Sequence, residues 1–257
     1  MRRRPRVFRF ASLAAGAALG LGCAAATAVS PSVESATTSA GAGGGESVLF
    51  IGNSLTESND LPARVAEITA AAGHPLRTSA VTQGGASLLD HLDNGRALRA
   101  IREGRWSVVA MQQGPSTLPE SRAELVESTR RFAAEIRSVG AKPALLMVWP
   151  LPGQEASAVS ASYRAAAEAN DALLVPAGDA WEMLGARDRS LVLTVSDGFH
   201  PSLLGTYAAA LTVACTLIPE DRAALSRALS ATALRLDAAR RDLLVEAACT
   251  AASASRR

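Results

Sequence analysis

Several kinds of protein are excluded by what this chain lacks. Aromatic residues make up only 4% of its 257 positions, and no segment reads as a lid, which argues against a lipase for long acyl chains. It has three histidines, His74, His91 and His200, at no metal-ligand spacing, so no zinc site and no other metal is expected. Neither G-x-G-x-x-G nor a Walker sequence occurs, and "GGASL" at residues 84–88 is no substitute, so no nucleotide cofactor is expected. No internal repeat is visible. The formal net charge is +2, yet five arginines fall within "MRRRPRVFR" at the start, which leaves the remainder near neutral and without a nucleic-acid surface.

What is present begins with that basic stretch. The apolar, small-residue run "FASLAAGAALGLGCAAATAVS" follows it and closes on Ala26-Thr27-Ala28. Charged start, short apolar centre and A-x-A ending predict a cleaved secretory signal over residues 1–28. The strongly apolar part is shorter than the ~20 residues that span a bilayer. Membrane attachment is expected only if Cys23 is lipidated, and Gly20 stands where a lipobox usually has Leu. Residues 29–46 are rich in Ser, Ala, Thr and Gly and predict a flexible linker. A secreted or cell-envelope location follows, in which Cys215 and Cys249 are either a disulfide or two buried small hydrophobes.

From Ser47 the pattern changes. Short apolar runs, "SVLFIGNS", "LRTSAVTQGG", "WSVVAMQQ", "KPALLMVWP" and "ALLVPAGDAW", alternate with helical stretches. The helices are expected near residues 62–73, 88–103, 120–139, 157–170 and 203–218. One or two more fall within residues 221–250. Such alternation predicts an α/β domain, a three-layer α/β/α sandwich on a doubly wound parallel sheet of about five strands. The domain is expected over residues 47–250, with its core at 47–218.

Polar groups gather where these strands end, at the edge where open α/β sheets bind ligands. Ser54 ends the first run, Gly84-Gly85 the second, Gln112-Gln113-Gly114 the third, and Asp197-Gly198-Phe199-His200-Pro201 forms the last loop. Ser54 is a nucleophile or a helix cap. A serine hydroxyl needs a base, His200, and that base needs a carboxylate to fix its tautomer, for which Asp197 stands three residues away. The Ser54 and Gly85 N–H groups and the Gln113 side-chain amide would stabilise an oxyanion, with Gln112 and Ser116 as rivals to Gln113 for the third donor. Asn53, Gly84, Gln112 and Ser116 are expected beside the substrate. Asp179 is read as a supporting carboxylate, and Trp149 and Trp181 as edges of the core or walls of a sugar cleft.

In this order the blocks resemble the SGNH hydrolases, the GDSL-like esterases. "IGNSLT" is similar to the block bearing their nucleophile, "GGASL" to the block bearing an oxyanion glycine, and "DGFHPS" to the closing Asp-x-x-His. "NDLP", "VPAGDAW" and "HPSLLGTY" are similar to one bacterial branch. Two positions depart: Asn53 replaces the usual Asp, and "QQGPST" replaces Gly-x-Asn-Asp. "QGPS" is similar to the Gln-Gly-x-Ser stretch of carbohydrate acetylesterases, in which glutamine supplies the oxyanion amide. The resemblance implies a flavodoxin-like fold and a cofactor-free exported serine esterase acting on a short acyl ester of a carbohydrate or small molecule. A glycan-binding domain with the same cleft and an acyltransferase are the alternatives.

Overall fold

The computed structural model describes residues 46–256. The expected signal sequence, Cys23 and the linker through residue 45 lie outside them. Strand β1 (Ser47–Gly52) is buried along its whole length, as a strand rich in large apolar residues is when helices cover both faces of its sheet. It pairs in parallel with β2 (Arg77–Thr82) on one side and β3 (Val108–Met111) on the other. Beyond β3 come β4 (Lys142–Leu146) and β5 (Leu173–Val175), which completes the order β2-β1-β3-β4-β5. Edge strand β2 is only half buried, and its sequence "RTSAVT" is correspondingly more polar.

The connecting helices form the two outer layers. Helices α3 (Leu88–Asn94), α4 (Arg96–Glu103), α5 (Pro119–Ser138) and α6 (Ala156–Ala169) pack together on one face. On the other lie α2 (Leu61–Ala71), α7 (Ala177–Arg187), α8 (Leu203–Leu217), α9 (Arg222–Ser230) and α10 (Ala238–Ala254). The result is a doubly wound three-layer α/β/α sandwich. Helix α8 is apolar around most of its circumference and is buried from Gly205 to Cys215, enclosed by α2, α7 and α10. Cys215 of α8 is disulfide-bonded to Cys249 of α10. Among the described residues no helix is long and apolar enough to cross a membrane.

Two elements differ from the sequence expectation. The helical stretch 88–103 is two helices, because Gly95 at φ +69° turns the chain between them. The fifth strand stops at Val175, and "AGDAW" opens α7. Pro176 lacks an N–H for the ladder and stands at the helix N-cap, while the carbonyl it follows, Val175 O, accepts from Met147 N at 2.9 Å. Asp179 therefore lies in the first turn of α7 rather than at a strand end. The one or two helices expected within residues 221–250 are two, α9 and α10, and α10 continues past residue 250 to Ala254.

Candidate active site

The sharp turn after β1 depends on Gly52. A Cβ there would fall 2.5 Å from both Gln112 Oε1 and Thr56 Oγ1, so only glycine fits between them. The chain then enters a short helix, α1 (Ser54–Glu57), whose cap is Asn53: its side-chain oxygen accepts the Leu55 N–H at 3.1 Å. Ser54 is thus relieved of capping. Its Oγ lies 2.9 Å from His200 Nε2, across 146 residues of sequence.

His200 is held by a tight loop that folds onto Asp197. One oxygen of that carboxylate accepts the N–H groups of Phe199 and His200, at 2.8 and 2.9 Å, and the other lies 2.7 Å from His200 Nδ1. The Phe199 N–H, then the His200 ring, then the His200 N–H hold the Asp197 carboxyl below the usual carboxylate range. An ionised carboxylate only accepts, so Nδ1 carries the ring proton of neutral His200 and Nε2 turns its lone pair toward Ser54. A Val195 N–H to His200 O bond at 2.9 Å and a bridge between Thr194 and Pro201 close the loop. The His200 and Asp197 side chains are 39% and 47% exposed, so an incoming molecule can reach the relay.

Beneath Ser54 lies a buried polar floor. Gln112 Oε1 accepts from Asn53 N and Thr56 Oγ1, and Gln112 Nε2 donates to Asn53 Oδ1 and Gln113 O. Both of its N–H bonds are committed. Gln113 Oε1 accepts from Leu88 N at 3.1 Å, and its Nε2 donates to Ser116 Oγ at 2.8 Å, which leaves one amide hydrogen uncommitted. Asn53 Nδ2 donates to Ala86 O and likewise keeps one. Fully buried Tyr163 supports the floor from α6, donating to Gln113 O at 2.5 Å. Gly84 and Gly85 are exposed beside it, with open space where a Cβ would stand. Among the described residues the N–H groups of Ser54 and Gly85 have no acceptor.

The structure therefore brings Ser54, His200 and Asp197 into one hydrogen-bonded chain, and Asn53, Gln112, Gln113 and Ser116 into another. It keeps Asp179 apart, paired with Arg164. Trp149 and Trp181 are stacked with ring centroids 3.6 Å apart and are buried, so they belong to the core edge. His74 is exposed, and no group of three metal-binding side chains occurs among the described residues. His91, within the expected helical stretch 88–103, is fully buried, and its Nε2 donates to Gly52 O at 2.8 Å. Burial holds its pKa below the ordinary value, and Nδ1 has no partner. Leu88, His91 and Leu92, at i, i+3 and i+4, share the buried face of α3, a spacing that signals His91's position.

No protein-family model matches the sequence, and no curated protein matches it. Solved structures do. A protein from Slackia heliotrinireducens assigned to the SGNH hydrolases is 26% identical, with a TM-score of 0.54 over 66% of this chain and 97% of that one. An acetyl xylan esterase from Geobacillus stearothermophilus is 17% identical, with a TM-score of 0.53 over 69% of this chain and 98% of its own. A lipase/acylhydrolase from Enterococcus faecalis is 16% identical, with a TM-score of 0.50 over 64% and 91%. The last two share the fold. With the parallel sheet and the ordered sequence blocks, the first of these likenesses supports placing the chain in the SGNH hydrolase superfamily.

Proposed function

We propose that this protein is an exported serine esterase that removes a short acyl group, such as acetyl, from a carbohydrate or small-molecule ester. The observation that carries the reading is the continuous relay from Ser54 Oγ through His200 to Asp197, at 2.9 and 2.7 Å. Ser54 Oγ attacks the ester carbonyl while its proton passes to His200 Nε2, and Asp197 stabilises the imidazolium that forms. Collapse of the tetrahedral intermediate expels the alcohol, which takes the proton from His200. Water, deprotonated by the same Nε2, then releases the acid and restores Ser54. The intermediate's oxygen is held by the N–H groups of Ser54 and Gly85 and by the uncommitted amide hydrogen of Gln113.

Two further observations support the finer parts of this reading. The Cys215–Cys249 bridge fits an oxidising compartment and so favours export. The acetyl xylan esterase likeness favours a carbohydrate ester. A glycan-binding role has no use for a proton relay aimed at a serine. The test is turnover of p-nitrophenyl acetate and of an acetylated xylooligosaccharide, with a fluorophosphonate probe followed by peptide mapping. Turnover with labelling at Ser54 is expected. Well-folded protein that neither turns over nor labels would refute the esterase reading. Acetyl transfer to an added sugar hydroxyl in preference to water would make it an acyltransferase. Export is tested separately by the mass of the mature protein, expected to begin near Val29.

A further inference from the structure

Two of the sequence blocks, "NDLP" and the "PSLLGTY" that follows His200, meet in the fold. Asn59 donates both hydrogens of its side-chain amide across 142 and 147 residues, to Pro201 O at 3.0 Å and to Thr206 Oγ1 at 2.9 Å. Thr206 Oγ1 donates its own hydrogen to Ser202 O, so it faces Asn59 as an acceptor. Asn59 and Asp60 both have φ of 54°, two consecutive left-handed residues without glycine, at the junction between α1 and α2. That conformation is sparsely populated and persists where surrounding bonds over-determine it. Here it turns the Asn59 amide toward the loop that carries His200.

His200 is bracketed by this arrangement. The carbonyl before it, Phe199 O, accepts the Trp149 indole N–H at 2.8 Å, and the carbonyl after it, Pro201 O, accepts Asn59. Trp149 ties the loop to the end of β4, whereas Asn59 ties it to the residues that directly follow the Ser54 turn. Only the second bond joins the two halves of the relay.

We propose that Asn59 is a positioning residue: its amide clamps the His200 loop to the nucleophile turn and so sets the distance between Ser54 Oγ and His200 Nε2. The role rests on the esterase reading above, and the clamp itself does not. Misplacement of a reacting pair by about an ångström can cost on the order of a hundredfold in rate. The same bonds leave no tolerance for a carboxylate, since Asp at this position would set its lone pairs against two acceptors.

The experiment compares Asn59→Gly and Asn59→Asp with the wild-type full chain. Glycine accepts the positive φ and removes only the clamp, so Asn59→Gly should melt within a few degrees of wild type. Its kcat for p-nitrophenyl acetate should fall roughly 10- to 100-fold, with KM changed by less than about threefold. Amide hydrogen exchange in peptides covering residues 195–206 should rise about tenfold or more, while the β1 and β3 peptides keep their protection. Asn59→Asp, nearly isosteric, should lose more activity than Asn59→Gly. Wild-type kcat with unchanged exchange in Asn59→Gly would overturn the proposal. So would a loss of kcat accompanied by loosening throughout the domain, which marks a merely structural residue. If the wild-type protein neither turns over substrate nor labels at Ser54, the esterase reading fails, and the exchange of residues 195–206 alone decides the clamp.

Discussion

Replacing Gln113 by alanine should damage stability and turnover by separable amounts. The side chain is 3% exposed. Its removal leaves the buried Leu88 N–H without the acceptor it now has at 3.1 Å. An orphaned buried donor costs about 1–3 kcal/mol. At roughly 2–4 °C per kcal/mol for a domain of this size, the melting temperature should drop by about 2–12 °C. Turnover has a second cause. If the uncommitted amide hydrogen reaches the developing oxyanion, its loss should lower kcat by roughly a hundredfold to a thousandfold, about 2.7–4 kcal/mol. KM should hardly change, because the bond strengthens only as charge moves onto oxygen. Ser116→Ala is the control: it keeps the Leu88 bond and releases the Gln113 N–H now given to Ser116 Oγ, so kcat should stay within about threefold of wild type. Steady-state kinetics on p-nitrophenyl acetate beside thermal unfolding reads both effects. A Gln113→Ala protein with a lowered melting temperature and wild-type kcat would remove Gln113 from the oxyanion site. Asn53, whose amide also keeps one hydrogen, would then be the third donor, and Asn53→Ala should show the rate loss on top of about 1 kcal/mol for the lost helix cap and about 1–3 kcal/mol for the buried Gln112 N–H left without its acceptor.

Ser54→Ala and His200→Ala should each lower kcat by several orders of magnitude without changing the circular dichroism spectrum. Asp197→Asn should also be damaging, because an amide facing Nδ1 favours the wrong ring tautomer, whereas Asp179→Asn breaks only the pair with Arg164 and should leave kcat near wild type; the reverse order would reassign the carboxylate. Cys215→Ser opens a loop with a sequence separation of 34, worth about 4 kcal/mol by chain entropy, so the denaturant midpoint should fall as it does for reduced wild type; an unmoved midpoint would refute that contribution. His91 supplies a pH dependence. Its pKa is lowered in the folded state from an ordinary 6.5, so the unfolded chain takes up the proton first. Its stabilising contribution is therefore complete above about pH 6.5 and declines as pH falls from there toward the lowered value, by at most about 1.4 kcal/mol per pH unit. His91→Gln, which can keep the bond to Gly52 O, should flatten that decline in denaturant titrations at pH 7 and pH 5. An equal slope in both proteins would assign the decline to other groups.

The parallel sheet follows from local chemistry alone. "VLFI" is a short apolar run ended by Gly52, and its length and β-branched content fit a strand covered on both faces. The pairing of Asp197 with His200 is equally local, since a separation of three residues lets one turn present both side chains to each other. The serine's role is not local. Asn53 and Ser54 are both good helix caps, and the sequence leaves open which one serves; the cap fell to Asn53 because β3 delivers Gln112 to hold both its backbone N–H and its side-chain oxygen. The same holds for the floor. Gln112 and Gln113 are chemically identical neighbours, distinguished only by side-chain partners: Asn53 and Thr56 for the first, Leu88 of α3 and Ser116 for the second. His91 looks polar in one dimension and is buried in three, because α3 lies over the end of β1, where the ring gives Gly52 O a second donor beside the Gln83 N–H. Where a side chain's partners lie within one turn, the sequence determined the outcome. Where they come from separate strands and helices, hydrogen-bonding types alone admit several near-equivalent pairings, and only the packing of β1 against β3, α3 and the His200 loop selected one.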